Sequence, residues 1–335
     1  MNKILITGGG GYIGSIASKL FLDAGNEVVT IDDFQTGYRA PTELLKKQYG
    51  DKYRVYEQNL MSDLSPFFEK EKNISAVVHY AASCVVDESM KNPYKYFNNN
   101  VQGSLNLVDT ILKFGINKIV FSSTCAVYGD VKTVPITENT PPEPNNTYGE
   151  SKHFIERILH WYSELKGLNY AILRYFNVCG ATADGEIGYS KNPSTHLPEN
   201  AVKGALKLSP FYLTYQQVDT PDGSPIRDYV HVVDLNKAHM KAVDYLINGG
   251  KSEIINLGTG TGYSVLEMVN KIKELTGAEF PVEVATERRT GESPKLVADI
   301  TKAGKVLGWK PESTLKDTID SSIAWYNKHP KGWTS

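Results

Sequence analysis

The chain has 335 residues, of which 41% are hydrophobic and 22% are charged, a balance typical of a globular protein with an ample core. A formal net charge of −2 argues against binding to nucleic acid or to an anionic membrane. Three scattered cysteines without a CxxC pair argue against a disulfide framework and a zinc site, and they suggest a reducing cytoplasm. The start, MNKILITGGGG, runs straight into a predicted strand and glycines, so no signal segment is expected, and no apolar stretch approaches membrane-spanning length.

Short β-rich stretches alternate with segments long enough for helices over the first half of the chain. This rhythm predicts an α/β fold with a doubly wound, Rossmann-type parallel sheet covered by helices on both faces. After about residue 176 the rhythm breaks into loops rich in Gly, Pro, Asp and Asn, so a smaller, mixed α/β C-terminal domain is expected. The predicted strands are KILIT (3–7), EVVTID (27–32), RVYEQ (54–58), AVVHYA (76–81), KIVFSS (118–123) and YAILRYF (170–176).

A glycine-rich turn follows the first predicted strand. Gly8, Gly11 and Gly14 have the GxxGxxG spacing, and a helix is expected to begin near Tyr12. Glycines there permit a tight turn and the close approach of a pyrophosphate, to which a helix N-terminus offers free N–H groups. The second strand ends in Asp32-Asp33, where a carboxylate can accept a hydrogen bond from an adenosine ribose and repels a 2′-phosphate. The pattern therefore predicts a dinucleotide site that favours NAD over NADP.

The stretch NNTYGESKHFIERIL places a tyrosine and a lysine on one face of an apparent helix. The spacing of Tyr148, Lys152, Ile155, Leu159 and Tyr162 is that of an inward-facing stripe. Burying an ammonium is costly unless its charge is used, although a lysine at a helix end can also extend its charge to solvent. A nearby ammonium favours the phenolate of a tyrosine, whose ordinary pKa is roughly 10. The pair therefore suggests a general base with a cationic helper.

A third hydroxyl is expected beside this pair. FSSTCAVYG ends the fifth strand and places Ser122, Ser123 and Thr124 at the carboxyl edge of the sheet. Thr124 there can share a hydrogen bond with a reacting hydroxyl of the substrate. The alternative is a threonine that only caps a turn.

Together these residues resemble a known family. TGGGGYIG, SSTCAVYG and YGESK resemble the extended short-chain dehydrogenase/reductases. NPYKYFNNNVQGSLNL, RYFNVCGA, DGSPIRDYVHVVDL and RRTGESPKLVADITKA resemble the UDP-glucose 4-epimerases of galactose metabolism. The resemblance runs to about residue 325. It implies an NAD-binding domain over 1–176 and a nucleotide-sugar domain over 177–335, with about 230–258 returning to the first. It also implies a UDP-hexose substrate and a homodimer.

The resemblance assigns roles to individual residues. Tyr148 takes the proton of the sugar's 4-hydroxyl while the hydride at C4 passes to NAD, and Lys152 and Thr124 assist. The 4-keto sugar then presents its other face, and the same hydride returns. The cofactor-binding residues implied are Gly8, Gly11, Tyr12, Ile13, Gly14, Asp32, Asp33, Phe34, Asn59, Leu60, Tyr80, Ala81, Ala82, Cys84, Asn99, Thr124, Tyr148, Lys152 and Phe176. The substrate residues implied are Thr124, Tyr148, Asn177, Asn200, Tyr215, Arg227, Arg289, Glu292 and Leu296.

The chain departs from the family pattern at three positions. Asn59 stands where the family usually has an aspartate near the adenine, and Cys84 replaces a lysine found in many members. Leu296 stands where many members have a tyrosine against the sugar. The first two departures concern cofactor affinity, and the third concerns which sugar fits.

Other functions remain open at this point. The related 4,6-dehydratases need an Asp-Glu pair after the strand-five threonine, whereas Cys125 and Ala126 stand here. A 4-epimerase of another UDP-sugar, such as an N-acetylhexosamine or a uronic acid, is compatible with the motifs. A non-catalytic NAD-binding regulator is a third possibility, which the intact Thr124, Tyr148 and Lys152 set disfavours. No metal site is expected.

Overall fold

The structure is a computed structural model that describes residues 1–215, 217–284 and 293–334. Within these residues the chain forms fourteen strands and twelve α-helices. The strands are β1 (Lys3–Thr7), β2 (Glu27–Asp32), β3 (Tyr53–Glu57), β4 (Ile74–His79), β5 (Lys118–Thr124), β6 (Asn169–Tyr175), β7 (Asn177–Cys179), β8 (Leu213–Tyr215), β9 (Ile226–Arg227), β10 (Tyr229–His231), β11 (Glu253–Leu257), β12 (Tyr263–Ser264), β13 (Val282–Val284) and β14 (Lys295–Leu296). The helices are α1 (Tyr12–Asp23), α2 (Arg39–Tyr49), α3 (Ser65–Lys70), α4 (Val86–Lys91), α5 (Pro93–Tyr96), α6 (Gly103–Lys113), α7 (Thr147–Lys166), α8 (Leu197–Ala205), α9 (Val232–Ile247), α10 (Val265–Thr276), α11 (Thr301–Leu307) and α12 (Leu315–Lys328).

Seven parallel strands form the main sheet, in the order β11-β6-β5-β4-β1-β2-β3. The strand order reverses after β1, since the chain first adds strands on one side and then crosses to β4 on the other. The predicted doubly wound, Rossmann-type sheet is thereby confirmed. Ligands of such sheets bind beyond the carboxyl ends of the strands at this reversal. The last strand of the sheet, β11, comes from a part of the chain far beyond the other six.

Both faces of the sheet are buried because apolar side chains of the strands alternate between them. Ile4 and Ile6 of β1 pack on the face covered by α1, α2, α9 and α11. Leu5, between them, packs on the face covered by α3, α6 and α7. These strand residues are at most 1% exposed.

The predicted inward stripe of α7 lies against the second of these faces. Lys152 is 2% exposed, and Ile155 and Leu159 are each 1% exposed. The helix begins where it does because the Asn146 side chain accepts a hydrogen bond from the Gly149 N–H at 2.9 Å. Gly167, in the left-handed conformation, ends it.

Helices α8, α10 and α12, with the short strands beside them, form what we call the C-terminal lobe. Its core includes Val202, Met268, Ile319 and Trp325. β7 pairs with β10, β8 pairs with β13, and β9 lies between β12 and β14. The lobe therefore stands beside the carboxyl edge of the main sheet, where β7 continues directly from the end of β6.

Candidate active site

A cavity of about 1090 Å³ lies at the carboxyl ends of the main strands, between the sheet and the C-terminal lobe. Its volume is at the upper end of the range usual for small-molecule sites. The glycine loop forms part of its wall, and residues of β8, β9 and β14 form another part. The cavity can therefore hold a ligand that reaches from the phosphate loop to the C-terminal lobe.

The glycine loop is shaped for a diphosphate. Gly8 has a φ of +78°, and a Cβ on Gly14 would stand 2.2 Å from the Gly8 carbonyl oxygen, so only glycine fits both positions. The first turn of α1 contains no acidic residue, and no side chain caps its start at Gly11. Tyr12 and Ile13 line the cavity. The first N–H groups of α1 are thus left for an anionic ligand, to which the helix dipole adds attraction.

Asp32 holds the glycine loop in place through hydrogen bonds. Its carboxylate accepts hydrogen bonds from the N–H groups of Gly10 and Phe34, each at 2.8 Å. Burial raises the pKa of Asp32 above its ordinary value, while the same two hydrogen bonds act to lower it. Because each carboxylate oxygen accepts more than one hydrogen bond, Asp32 can still accept one from a ribose hydroxyl. The loop and Asp32 together fit a dinucleotide.

Three predicted catalytic residues meet on one wall of the cavity. Thr124, Tyr148 and Lys152 all line it. The Lys152 ammonium donates to the Ser122 carbonyl oxygen at 2.8 Å and lies 4.8 Å from the centre of the Phe121 ring. Thr124 both faces the cavity and caps a turn, since its hydroxyl oxygen accepts from the Ala126 N–H at 3.2 Å. The two readings of this threonine are therefore compatible.

Burial governs the protonation of this wall. It raises the pKa of the Tyr148 phenol well above 10, whereas the hydrogen bond with Thr124 acts in the opposite direction. Burial also lowers the pKa of the Lys152 ammonium to about 8. In the protein without cofactor, the effect of burial on the pKa of Tyr148 therefore exceeds any lowering by the neighbouring Lys152. Further positive charge beside Tyr148 is needed before the phenol becomes a base.

A buried ion pair supports this wall from behind. Arg174 on β6 donates to both carboxylate oxygens of Glu156 on α7, at 2.9 and 2.5 Å, and the Ser123 hydroxyl donates to the same carboxylate at 2.6 Å. Both charged side chains are 3% exposed. The two hydrogen bonds of a bidentate pair fix orientation, so α7 is held at one rotation against β5 and β6.

A π-helical segment, Phe97–Gln102, supports the wall from the other side. Within it the Asn100 amide oxygen accepts from the Ser83 N–H at 2.8 Å, and its nitrogen donates to the Ser83 carbonyl and to the Ser151 hydroxyl, each at 3.0 Å. This network joins the segment to the loop after β4 and to α7, and it leaves Asn99 facing the cavity. Such bulges are frequent at functional sites.

Comparison with known proteins agrees with this geometry. Residues 4–258 match the model of the NAD dependent epimerase/dehydratase family. The UDP-glucose 4-epimerase of Lacticaseibacillus casei is 42% identical over 332 residues, which are 98% of either chain. The chain belongs to this family.

Solved structures of the family have the same fold over nearly the whole chain. The UDP-glucose 4-epimerase of Bifidobacterium longum, in complex with NAD⁺ and UDP, has a TM-score of 0.91 and 35% identity, covering 99% of this chain and 100% of its own. The UDP-Glc/GlcNAc 4-epimerase of Campylobacter jejuni has a TM-score of 0.85 and 37% identity, covering 98% and 100%. NAD is the cofactor of the family and fits the loop and acid described above.

Most of the predicted cofactor residues line the cavity. They are Gly8, Gly11, Tyr12, Ile13, Gly14, Asp32, Asp33, Leu60, Tyr80, Ala81, Ala82, Cys84, Asn99, Thr124, Tyr148, Lys152 and Phe176. Two do not. Phe34 has a φ of +54° and packs its ring under the Arg39 guanidinium, at 4.4 Å. The Asn59 amide donates to the Asp33 carboxylate at 2.7 Å and accepts from the Met61 N–H at 2.8 Å, so it is engaged within its own loop.

On the substrate side, Asn177, Tyr215, Arg227 and Leu296 line the cavity. Asn200 does not. Helix α8 begins at Leu197, and Asn200 lies half-buried in its first turn. The Asn200 amide donates to the Ser194 carbonyl at 3.1 Å. The other two predicted substrate residues, Arg289 and Glu292, lie outside the described residues.

The cavity is also lined by residues that were not predicted from the sequence. Tyr175 ends β6, and its hydroxyl hydrogen-bonds that of Ser122. Its place at the carboxyl edge of a strand was a usable signal. His196 precedes α8 and stacks on Tyr189 with ring centroids 4.4 Å apart, while burial lowers the pKa of His196 to about 4. Tyr189 and His196 both lie in the irregular loop between β7 and α8, where no periodic pattern marks them.

Two classes of site are absent from the described parts of the chain. No group of three or more His, Cys, Asp and Glu side chains that could hold a metal ion occurs among the described residues. Within the same residues, no helix is both long and apolar enough to cross a membrane.

Proposed function

We propose that this family member is a UDP-sugar 4-epimerase that interconverts UDP-glucose and UDP-galactose with tightly held, recycled NAD. One observation carries the proposal. A single cavity brings the phosphate loop, the Thr124, Tyr148 and Lys152 wall, and the Arg227 and Leu296 edge of the C-terminal lobe together. The reacting sugar thus lies between a dinucleotide and a diphosphate partner. The UDP-glucose 4-epimerases to which the chain is similar over its whole length support this substrate.

The residues of the chain divide the work. The glycine loop and Asp32 would hold NAD, which when bound would supply a positively charged ring able to take a hydride from C4 of the sugar and to give it back. Tyr148 takes the proton of the 4-hydroxyl and gives it back, and Thr124 holds that hydroxyl in line. Lys152, held by the Ser122 carbonyl, adds positive charge beside the phenol. Arg227 contributes its guanidinium to the diphosphate, which leaves the 4-keto sugar free to turn.

The reaction is tested by assaying purified protein with UDP-galactose and no added NAD. Interconversion to UDP-glucose without accumulation of NADH is expected, because the hydride returns to the same carbon. NADH that accumulated in proportion to product would instead indicate a dehydrogenase. A protein that binds NAD but converts no UDP-sugar would indicate a regulator.

A dehydratase is disfavoured by the residue that follows Thr124. Elimination of water needs an additional acid and base, and Cys125 occupies the first position where one could stand. Burial raises the pKa of its thiol to about 12, so it does not exchange protons near neutral pH.

The substrate range extends to N-acetylated sugars in our proposal. Leu296 lines the cavity, and its backbone pairs with Arg227 through β14 and β9, so its side chain stands close to the diphosphate partner. Leucine is shorter than tyrosine and leaves apolar room for the methyl of an N-acetyl group. The dual-specificity enzyme of C. jejuni has the same fold. A UDP-uronic acid is the remaining alternative, and a panel of UDP-sugars distinguishes the three.

We also propose a homodimer. Phe154, Trp161 and Leu165 of α7 are 47%, 52% and 71% exposed, and Leu105 of α6 beside them is 40% exposed. An exposed apolar helix pair of this kind marks an interaction surface, which a second copy of the chain can cover. Trp161→Glu should convert the dimer to a monomer in light scattering. An unchanged mass for this variant, or a monomeric wild type, would contradict the proposal.

We also propose a division into two domains and a cytoplasmic location. The boundary between 1–176 and 177–335 is supported by β6, the last main-sheet strand before it, and by β7, which pairs with β10 outside that sheet. The return of about 230–258 to the first domain is supported by β11, which completes the main sheet. A cytoplasmic location is supported by three cysteines that are all free thiols. Fractionation of cells that express the chain tests the location, and limited proteolysis tests the boundaries.

A further inference from the structure

The segment 329–334 crosses from the C-terminal lobe to the cofactor side of the cavity. It follows α12, and Trp333 is partly buried against two core clusters at once. One cluster underlies the main sheet and includes Tyr12 and Ile13 at the start of α1. The other is the core of the C-terminal lobe. Trp333 also lines the cavity. One indole therefore touches both halves of the molecule and the space between them.

The indole is held in a fixed place by its neighbours. Its ring centroid lies 4.9 Å from that of Trp325 and 4.8 Å from that of His329. The backbone N–H of Trp333 donates to the Ser190 hydroxyl at 2.6 Å, which fixes the main chain from which the indole projects. Gly332, with a φ of +66°, makes the turn that permits this approach, since a Cβ there would stand 2.6 Å from the same hydroxyl oxygen.

A chain of hydrogen bonds joins this position to the phosphate loop. The Ser190 carbonyl accepts from the Tyr38 hydroxyl at 2.9 Å. The Tyr38 N–H in turn donates to the Gly10 carbonyl at 2.9 Å. Tyr38 and Ser190 both line the cavity. Trp333 thus belongs to the end of the cavity at which the glycine loop lies, rather than to the sugar end.

We propose that Trp333 is a cofactor-retention residue, whose indole covers the phosphate-loop end of the cavity and slows the release of NAD. A recycled cofactor need never leave the protein during turnover. A residue that covers the cavity and slows the release of NAD is therefore useful to an epimerase. The same structure would hinder a dehydrogenase that must exchange NAD for NADH. The inference rests on NAD as the tightly held cofactor in the proposed function, but not on the identity of the sugar.

The test measures NAD release directly. Protein that retains NAD through purification is mixed with an excess of the fluorescent analogue etheno-NAD, and exchange is followed over time. Trp333→Ala should release NAD about tenfold faster, which corresponds to about 1.4 kcal/mol. Trp333→Phe, which keeps an aromatic ring, should recover most of the retention. Lys331→Ala, an exposed neighbour in the same segment, should behave like wild type.

Folding and function are separated by two further measurements. Thermal unfolding of the NAD-free variants shows whether the two clusters still pack, and Trp333→Leu keeps an apolar side chain there if Trp333→Ala does not fold. Turnover of Trp333→Leu should fall without added NAD and recover when NAD is supplied. Folded Trp333→Ala or Trp333→Leu with wild-type exchange rates would overturn the inference. Failure of wild type to convert UDP-sugars would instead overturn the proposed function and leave the exchange result intact.

Discussion

On the main-sheet side of the cavity, the functional side chains stand on long, fully packed elements, whereas on the C-terminal side they stand on strands of two or three residues. Thr124 ends a seven-residue strand, and Tyr148 and Lys152 lie on a twenty-residue helix. Arg227 and Leu296 lie on two-residue strands that pair with each other. A side chain on a long element inherits its direction from the periodicity of that element. A side chain on a short strand takes its direction from tertiary contacts, which no local pattern in the sequence reveals.

The largest expected effect removes the proposed base on the main-sheet side of the cavity. Tyr148→Phe should lower kcat by about 10²–10⁴-fold, because proton transfer by a positioned side chain is typically worth that much. UDP binding, measured by calorimetry, should be nearly unchanged, since the hydroxyl acts on the proton in flight.

Tyr96→Phe is the matched control for this experiment. The two rings are 6.4 Å apart, but the Tyr96 hydroxyl donates to the Val85 carbonyl at 2.6 Å and serves structure. Its loss should cost about 1 kcal/mol of stability with little effect on kcat. If Tyr148→Phe kept half of the activity, the base would be another residue and the α7 stripe would be structural only.

The second prediction concerns the stability cost of the buried ammonium. The folded-state pKa of Lys152, about 8, lies below the ordinary value of 10.5. The folded protein therefore binds fewer protons than the unfolded chain between these values, so its free energy of unfolding rises with pH across this window. Below about pH 8 the full penalty is present, on the order of 3 kcal/mol. Lys152→Met should make the NAD-free protein more stable at neutral pH while it lowers kcat and loosens NAD.

Urea unfolding at neutral pH and near pH 10 measures the difference in free energy of unfolding between Lys152→Met and wild type. This difference should shrink at the higher pH. Lys166→Met, at the exposed end of the same helix, is the control and should show no such pH dependence. A Lys152→Met variant less stable than wild type at neutral pH would mean that the ammonium stabilises the folded protein through the Ser122 carbonyl.

The contrast between the two sides also explains what the sequence could predict. The alternation of strands and helices predicts the main sheet, and the 3.6-residue period of α7 predicts the Tyr148/Lys152 pair. The glycine turn and Asp32 follow from a short motif at the ends of the first two strands. Thr124 follows from the rule that parallel strands deliver their last residues to one edge. Asn200 shows the opposite case, because it lies on the short helix α8 beside an irregular loop, and its amide is engaged with the Ser194 carbonyl of that loop.

Loop residues could not be found in the same way. Tyr189 and His196 are brought to the cavity by stacking on each other, and Trp333 arrives from a segment more than 130 residues further along the chain. Nothing local marks these contacts, since they depend on packing between the lobe and the sheet. The irregular loop between β7 and α8 is therefore where prediction from the sequence is weakest.

The third prediction sharpens the comparison within the C-terminal side. Arg227→Ala should weaken UDP binding by about 10–100-fold, because a hydrogen bond to a charged group contributes roughly 1.5–3 kcal/mol. Asn200→Ala should leave UDP binding unchanged, since its amide is engaged with the Ser194 carbonyl. Calorimetric titration with UDP measures both. An Asn200→Ala variant that binds UDP as weakly as Arg227→Ala would mean that the asparagine turns into the cavity when the nucleotide binds.

The smallest expected effect concerns the sugar and Leu296, which lies on the two-residue strand β14 of the C-terminal side. Leu296→Tyr should depress kcat/KM for the UDP-N-acetylglucosamine/galactosamine pair about tenfold more than for the UDP-glucose/galactose pair. The leucine contributes only about 1 kcal/mol by burying the methyl of the acetyl group, enough to permit the larger sugar but not to exclude the smaller. A tyrosine ring would instead exclude the acetyl group by steric overlap, which can cost more than any lost contact.

Four rates decide this prediction, those of wild type and Leu296→Tyr on each sugar pair. Leu296→Met is the matched control, because it keeps an apolar side chain of similar volume and should leave the ratio of the two activities nearly unchanged. Equal losses on both pairs would show that position 296 affects the cavity as a whole rather than the acetyl group. Absence of N-acetyl activity in wild type would restrict the enzyme to plain hexoses, and the spare room beside Leu296 would then have to be closed by another part of the C-terminal lobe when the nucleotide sugar binds.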